Sequence, residues 1–209
     1  MLLCDIGNTT YTFFDGTKLT KYNIKEFDPK SIEEKIFYIN VNPTLSSFLS
    51  SLPNWIDLSG YIDKTKYYDT MGIDRIFGCE AIENGVIVDA GSAITVDVVQ
   101  ENGFQGGFIY PGKDAFATSF ASISKALDYE FDFTLDLKKL PKNTSQALTY
   151  GFLSGLIKEI ESYNLPIYLT GGDAKILQPF FQNAIYEPLL LFKGMAKIID
   201  ENNLLFTKN

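Results

Sequence analysis

Short apolar runs separated by polar turns dominate the first half of the chain. Leu2 to Ile6 is apolar, and Thr10 to Phe14 follows it rich in β-forming residues. The turn Asp15-Gly16 leads into a further extended stretch through Ile24, so the opening reads as a β-meander. Ile36 to Val41 is a buried-strand candidate, and Asn42-Pro43 then starts a helical pattern of Leu45, Phe48, Leu49 and Leu52. Gly72 opens another helix with Ile73, Ile76, Phe77 and Ala81 on one stripe, expected to close at Asn84-Gly85.

After Gly85 the same order of events restarts. Val86 to Val88 is apolar and ends in Asp89-Ala90-Gly91-Ser92-Ala93. A β-rich stretch from Ile94 to Val99, a turn at Glu101-Asn102-Gly103 and a strand from Phe104 to Ile109 follow. The two Asp-x-Gly turns stand 84 residues apart, at positions 5 and 89, close to half the chain. A repeated order of strand, Asp-Gly turn, strand, turn and strand predicts two topologically similar lobes, residues 1–84 and 85–209.

The second half also carries the longer helical patterns. Asn143 or Thr144 caps a segment with Ala147, Leu148, Gly151, Leu156, Ile157 and Ile160 as its apolar stripe. Pro166 to Thr170 predicts a short buried strand, and Gly171-Gly172-Asp173 opens a helix through Phe180. A mostly apolar helix from Pro188 to Ile199 closes the fold.

Composition narrows the chemistry. The 209 residues carry 18 Lys and Arg against 26 Asp and Glu, a net charge of −8, which argues against a nucleic-acid or anionic-membrane partner. There is no His, which removes Ser-His-Asp and Cys-His catalysis and His-ligated metals. Acid–base work at neutral pH therefore falls to Asp, Glu, Lys, Tyr or Cys. Cys4 and Cys79 sit in apolar settings without metal or redox spacing and read as two buried thiols, a single bond between them being the alternative. With no leader-like start and no apolar run of membrane length, the expectation is a cytoplasmic protein.

Within this frame the Asp-Gly turns are the leading candidates for chemistry. Glycine after a buried strand lets backbone N–H groups approach an anion, and Asn8, Thr9, Thr10, Ser92 and Thr95 add side-chain donors. An Asp at each strand end can hold a divalent cation that offsets phosphate charge. Either turn alone reads as an ordinary β-turn; the symmetric pair points to a polyphosphate gripped from two sides. Gly72-Ile73-Asp74-Arg75 adds an acid in the first turn of a helix, where the macrodipole favours its ionised form, and a planar cation beside it. Gly151 and Gly155, on one helix face, read as a packing or subunit contact.

Four ordered motifs carry a family resemblance. Asp5-Ile6-Gly7-Asn8-Thr9, Gly72-x-Asp74-Arg75, Asp89-x-Gly91-Ser92-Ala93-x-Thr95-x-Asp97 and Gly106-Gly107-x-Ile109-x-Pro111-Gly112 stand in the order found in type III pantothenate kinases. Asn143-Thr144 and Thr170-Gly171-Gly172-Asp173-Ala174 resemble later segments of the same family. The resemblance implies an α/β, actin-like fold of two duplicated ribonuclease-H-like lobes, as in the acetate and sugar kinase/actin superfamily. It also implies a homodimer and ATP-dependent phosphorylation of pantothenate, the first step towards coenzyme A.

By the same resemblance, Asp5, Ile6, Gly7, Asn8, Thr9, Thr10, Tyr11 and Thr12 form a phosphate loop, with Asp5 holding Mg²⁺ through water, and Ser92 contacts ATP where a Thr is usual. Asp74 is the proton acceptor. Gly72, Ile73, Asp74 and Arg75 line the pantothenate site, with a Tyr that falls on Tyr67 or Tyr68, here taken as Tyr68. Thr144 is a further pantothenate contact, and Asp89 is the ligand of a monovalent cation, K⁺ or NH₄⁺. A His found in the pocket of some members has no counterpart here. The competing readings are a kinase of another small hydroxy acid on the same fold, and a regulator that kept the fold without activity.

Overall fold

In the computed structural model, residues 1–101 and 103–205 are described. They form two units, one of Met1–Ile82 together with the segment from Leu189 onward, the other Glu83–Pro188. Halving the chain at 84/85 would have left the closing helix with the second unit; it belongs to the first.

The first unit is built on five strands: β1 (Leu2–Ile6), β2 (Thr10–Phe14), β3 (Leu19–Asn23), β4 (Ile36–Asn40) and β5 (Trp55–Asp57). Their order in the sheet is β3-β2-β1-β4-β5, with β1, β2 and β3 antiparallel and β4 and β5 parallel to β1. Period-two alternation sends Leu3, Phe37 and Ile39 to one face and Cys4, Ile6, Ile36 and Tyr38 to the other. Both faces are covered, which is why these strands read as continuous apolar runs. A 3-10 turn at Pro43–Leu45, capped by the Asn42 side chain, leads into the short helix α1 (Ser46–Leu49).

The α2 helix (Ile73–Glu80) and the closing helix, α6 (Leu190–Glu201), share the face with Leu3 and Phe37. There Phe77 meets Phe192, Met195, Ile198 and Ile199. Gly194 makes this approach feasible, because a Cβ there would collide with the Phe77 carbonyl oxygen. Lys197 adds a polar tie across the same pair, its Nζ donating to the Glu80 carbonyl at 3.0 Å.

The second unit repeats the plan with β6 (Gly85–Ala90), β7 (Ala93–Gln100), β8 (Gly103–Pro111), β9 (Ile167–Thr170) and β10 (Ala184–Tyr186). Its sheet order is β10-β9-β6-β7-β8, again an antiparallel triplet with two strands added parallel to the first. Read from the third strand, each unit is therefore ordered 3-2-1-4-5. That is the expected duplication of a ribonuclease-H-like topology, now present strand for strand. The helices are α3 (Lys113–Ile123), α4 (Thr144–Ser162) and α5 (Ala174–Leu177), the last continued by a 3-10 turn at Gln178–Phe180. Asn143 caps α4 by accepting from the Gln146 N–H at 2.9 Å.

Several local expectations change. The α4 stripe facing the core is Leu148, Phe152, Leu153, Leu156, Ile157 and Ile160, packed on Val86, Val88, Val96 and Leu169; Ala147 and Gly151 lie on the exposed face. Gly85 does not close α2, which ends at Glu80. It opens β6, where a Cβ would lie 2.6 Å from the Tyr168 ring and 2.8 Å from the Pro166 carbonyl. Strands β5 and β10, each three residues long, carry too short a pattern to read from sequence. Asn102, in the expected turn after Glu101, lies outside the described residues. Cys4 and Cys79 are both buried free thiols, and burial pushes the Cys4 thiol well above its ordinary pKa. No described helix is long and apolar enough to cross a membrane.

Candidate active site

Three segments of the first unit carry the expected site residues. Asp5 and Ile6 end β1, Gly7-Asn8-Thr9 form the turn, and Thr10, Tyr11 and Thr12 begin β2, with Asp5 paired across the ladder to Thr12. The Gly7 N–H donates to the Thr10 carbonyl at 2.9 Å, closing the hairpin. Two neighbours brace the turn from outside. The Ile24 N–H donates to the Thr9 carbonyl at 3.0 Å, and Asn42 Nδ2 donates to the Asn8 carbonyl at 3.4 Å. Asn42 thus has a second task besides capping. Tyr11 and Thr12 are buried, while Asn8 and Thr9 are exposed at the tip.

The second segment is the start of α2. Gly72 occupies the cap position in extended conformation, and Asp74 sits in the first helical turn. The Asp74 carboxylate folds back over the cap: Oδ1 accepts from the Arg75 N–H at 2.9 Å and stands 2.5 Å from where a Gly72 Cβ would be. Glycine at 72 is thus what allows the carboxylate its place. Ile73 and Asp74 are half-buried, and Arg75 is 9% exposed.

The third segment separates the two tyrosines. Arg75 Nη1 donates to the Tyr68 hydroxyl at 2.6 Å, and the guanidinium lies 5.8 Å from the centre of the Tyr68 ring. Tyr67 instead donates to Glu80 Oε1 at 2.9 Å, at the far end of α2. Tyr68 is 44% exposed, so one side of the Arg75–Tyr68 pair faces outward. Geometry inside this unit places Tyr68 beside Arg75.

In the second unit, Asp89 lies near the end of β6, paired with Thr95, and Gly91-Ser92 form the turn, with the Gly91 N–H donating to the Ala93 carbonyl at 3.0 Å. Two more glycines wall this turn. A Cβ on Gly171, whose φ is +89°, would strike Asp89 Oδ1 and lie 2.5 Å from the Ala90 carbonyl oxygen. A Cβ on Gly112 would strike the Gly91 carbonyl oxygen and lie 2.5 Å from that of Ser92. Backbone bonds fix both walls: the Asp173 N–H donates to the Ala90 carbonyl at 2.9 Å, and the Gly112 N–H to the Ser92 carbonyl at 3.2 Å. Thus the β8–α3 and β9–α5 junctions both close on the β6–β7 turn, the second of them against Asp89. From sequence, Gly112 and Gly171 read either as tight turns or as places of close backbone approach; a glycine between a strand and a helix was the signal, and it did not name the Ser92 and Asp89 oxygens as what is approached.

The donor chemistry at these turns is oxygen only. Asp89 Oδ1 and the Ala90 carbonyl both border Gly171, which suits a hard cation of low charge. Among the described residues there is no cluster of three or more His, Cys, Asp or Glu that would make a dedicated metal cage. A single carboxylate such as Asp5 fits Mg²⁺ only in the mode where water and substrate phosphates complete the shell. Thr144, the first residue of α4, is exposed and lines a pocket of about 430 Å³ with Phe120, Leu127, Lys142 and Asn143.

Two mixed five-stranded sheets of identical order, each with an Asp-Gly hairpin at the end of its first strand, make up a duplicated, actin-like α/β fold. A solved structure from Sinorhizobium meliloti, described as a 2-dehydro-3-deoxygalactonokinase, shares that fold with a TM-score of 0.59 at 10% identity, covering 100% of this chain and 98% of its own. A Campylobacter jejuni structure described as a Baf family transcriptional activator is far nearer, with a TM-score of 0.87 at 42% identity, covering 98% of this chain and 100% of that one.

Sequence comparison supplies the particular family. The family model for type III pantothenate kinase matches residues 47–164. The type III pantothenate kinase of Sulfurimonas denitrificans is 54% identical over 204 residues, covering 98% of this chain and 100% of its own length. That of Campylobacter jejuni subsp. jejuni serotype O:2 is 45% identical, covering 99% and 100%. The chain belongs to the type III pantothenate kinase family.

Proposed function

We propose that Asp74 is the proton acceptor and Arg75, positioned by Tyr68, a pantothenate contact in the reaction this chain performs. The activity is that of a type III pantothenate kinase: phosphorylation of pantothenate in coenzyme A biosynthesis. ATP is the phosphoryl donor. The observation that carries the assignment is the cluster at the start of α2, where a carboxylate held over Gly72 stands next in sequence to a mostly buried guanidinium bonded to an exposed tyrosine.

The chemistry follows from those groups. Phosphoryl transfer needs an acceptor hydroxyl that is oriented and relieved of its proton as the new P–O bond forms, and an ionised Asp suffices for both. Asp74 meets that requirement without His. The Arg75 guanidinium presents a planar fork to the carboxylate of pantothenate, while its bond to Tyr68 fixes the direction of the fork. Gly72 and Ile73 complete this side of the substrate site, and Thr144 adds a pantothenate contact near the subunit interface of a homodimer.

Asp5 to Thr12 and Ser92 are assigned to ATP, through the N–H groups and hydroxyls of their hairpins. Asp5 would hold Mg²⁺ through water, and Asp89 would hold K⁺ or NH₄⁺. Bound cations supply charge neutralisation for the polyphosphate, which a chain of net charge −8 otherwise lacks. A cytoplasmic location fits an enzyme using ATP and a small metabolite.

The test is a coupled ADP-release assay on the purified protein with pantothenate and a panel of other hydroxy acids. ADP release is expected only with pantothenate. Asp74→Asn is expected to lower kcat by about 10²- to 10⁴-fold with the folded state intact. Wild-type-like turnover by Asp74→Asn sinks the proton-acceptor assignment, and a preference for another hydroxy acid sinks the substrate.

A further inference from the structure

Lys113 is a cation that the motifs did not single out. It is the first residue of α3, directly after Gly112, the glycine that seats against the Gly91 and Ser92 carbonyls. Its Nζ reaches Asp173 Oδ2 at 3.3 Å and Asp114 Oδ1 at 3.0 Å. Asp173 in turn is tied by its own N–H to the Ala90 carbonyl. The side chain therefore ties the start of α3 to the start of α5, two junctions whose Gly112 and Asp173 N–H groups bond the Ser92 and Ala90 carbonyls.

This geometry has a consequence for charge. The second hairpin carries Asp89, and Asp173 stands beside it, so an anion approaching the Gly91-Ser92 turn meets two carboxylates. Lys113 is the counter-charge at that turn. Its side chain is 28% exposed and that of Asp173 is 25%, so the pair sits in a partly screened place where a charge-assisted bond outweighs a surface one. An ammonium has three donors, and among the described residues two carboxylates accept from it, leaving one for a further acceptor. The hydrogen bond to Asp114, reinforced by Asp173, holds the Lys113 pKa above its ordinary value, so the group is a cation at any pH where the enzyme works. The same side chain borders an open pocket of about 530 Å³ whose lining includes Thr118, Tyr129 and the carboxylates Asp114, Asp128 and Glu130, so among the described residues Lys113 is also the one cation of that wall.

We propose that Lys113 is a phosphate-contacting residue of this kinase, held in place by Asp173, and that it sets affinity for the polyphosphate of the nucleotide at the second hairpin. The proposal rests on the reading of the Ser92 turn as an ATP contact. Asp173 is a positioning residue: it keeps the ammonium between the two junctions that wall the turn while the remaining donor reaches a phosphate oxygen.

The experiment measures binding apart from turnover. Calorimetric titration of the full-length protein with a non-hydrolysable ATP analogue, and separately with AMP, compares wild type with Lys113→Met, Lys113→Gln and Lys113→Arg. Lys113→Met and Lys113→Gln should weaken the ATP analogue about tenfold and AMP much less, while Lys113→Arg retains most of the affinity. In steady state the KM for ATP should rise by about the same factor, with the KM for pantothenate changed less than about twofold. Asp173→Asn should weaken the analogue by a smaller factor than Lys113→Met.

Unchanged analogue affinity in both neutral variants overturns the proposal. Equal losses for the analogue and AMP also overturn it, since they would mark Lys113 as a structural tie only. Pantothenate-independent turnover by wild type would instead overturn the proposed reaction while leaving the binding comparison intact.

Discussion

The two Asp-Gly hairpins share a strand order and differ in their surroundings. In the first, a three-residue turn, Gly7-Asn8-Thr9, projects with an exposed tip, and a Cβ on Gly7 would find its nearest neighbour 3.6 Å away, at the carbonyl of Thr10 in its own turn. In the second, a two-residue turn, Gly91-Ser92, is pressed between Gly112 and Gly171, with an ion pair across the strand end. A duplicated topology thus supplies one open loop and one walled loop. The open loop leaves its Asn8 and Thr9 side chains facing outward although its carbonyls are braced, whereas the walled one packs carbonyl and carboxylate oxygens around a glycine, the donor type a hard cation takes.

The contrast is broken most severely at the walls. Gly171→Ala forces a Cβ into Asp89 and the Ala90 carbonyl at a φ of +89°, and is expected to cost about 2–4 kcal/mol of stability. Gly7→Ala should change stability by less than about 1 kcal/mol. Chemical denaturation of both variants makes the comparison, and equal costs would remove the distinction between the loops.

Next in size is the response to cations. Asp89→Asn is expected to reduce the apparent affinity for K⁺ or NH₄⁺ by at least about tenfold while leaving the Mg²⁺ requirement in place. Asp5→Asn should do the reverse. Titrating each cation against ADP release separates them, and a single variant that moves both would show that the two hairpins do not divide the work.

The smallest effect lies at the other end of the first hairpin. Asp15 accepts from the Thr17 hydroxyl and from the N–H groups of Thr17 and Lys18, which lowers its pKa to about 2. A depressed carboxylate contributes stability that is present above its unfolded value and lost as pH falls through about 2. The group is fully exposed, so the effect on the fold is slight. Its NMR titration should still show the low midpoint, and Thr17→Val should move that midpoint upward.

Much of the first hairpin was legible in the residues, because an Asp-Gly turn and alternating β-formers are local signals. So was the candidate chemistry of Gly72 to Arg75, a glycine and an acid at a helix start. The tyrosine was not: Tyr67 and Tyr68 are adjacent and chemically alike, and only Glu80 and Arg75, brought near by the path of the chain, tell them apart. Strands β5 and β10 escaped because a three-residue strand is recognised by its neighbour in the sheet and not by its own pattern. For α4, Leu148, Leu156, Ile157 and Ile160 of the expected stripe face the core, but Ala147 and Gly151 do not and Phe152 and Leu153 take their place, since small residues fit either face of a helix and packing decides between them.

What the sequence by itself determined is the repeated order of strands and turns, the pairing of each Asp with a glycine, and a chemistry without His that rests on carboxylates, backbone and cations. Tertiary structure decided which unit the closing helix joins, which glycines wall the second hairpin and where Lys113 stands. The physical reason is common to all three. A helix stripe or a glycine states only that close approach is permitted, and the partner that makes the approach, Phe77 for Gly194 or Asp89 for Gly171, comes from a distant part of the chain.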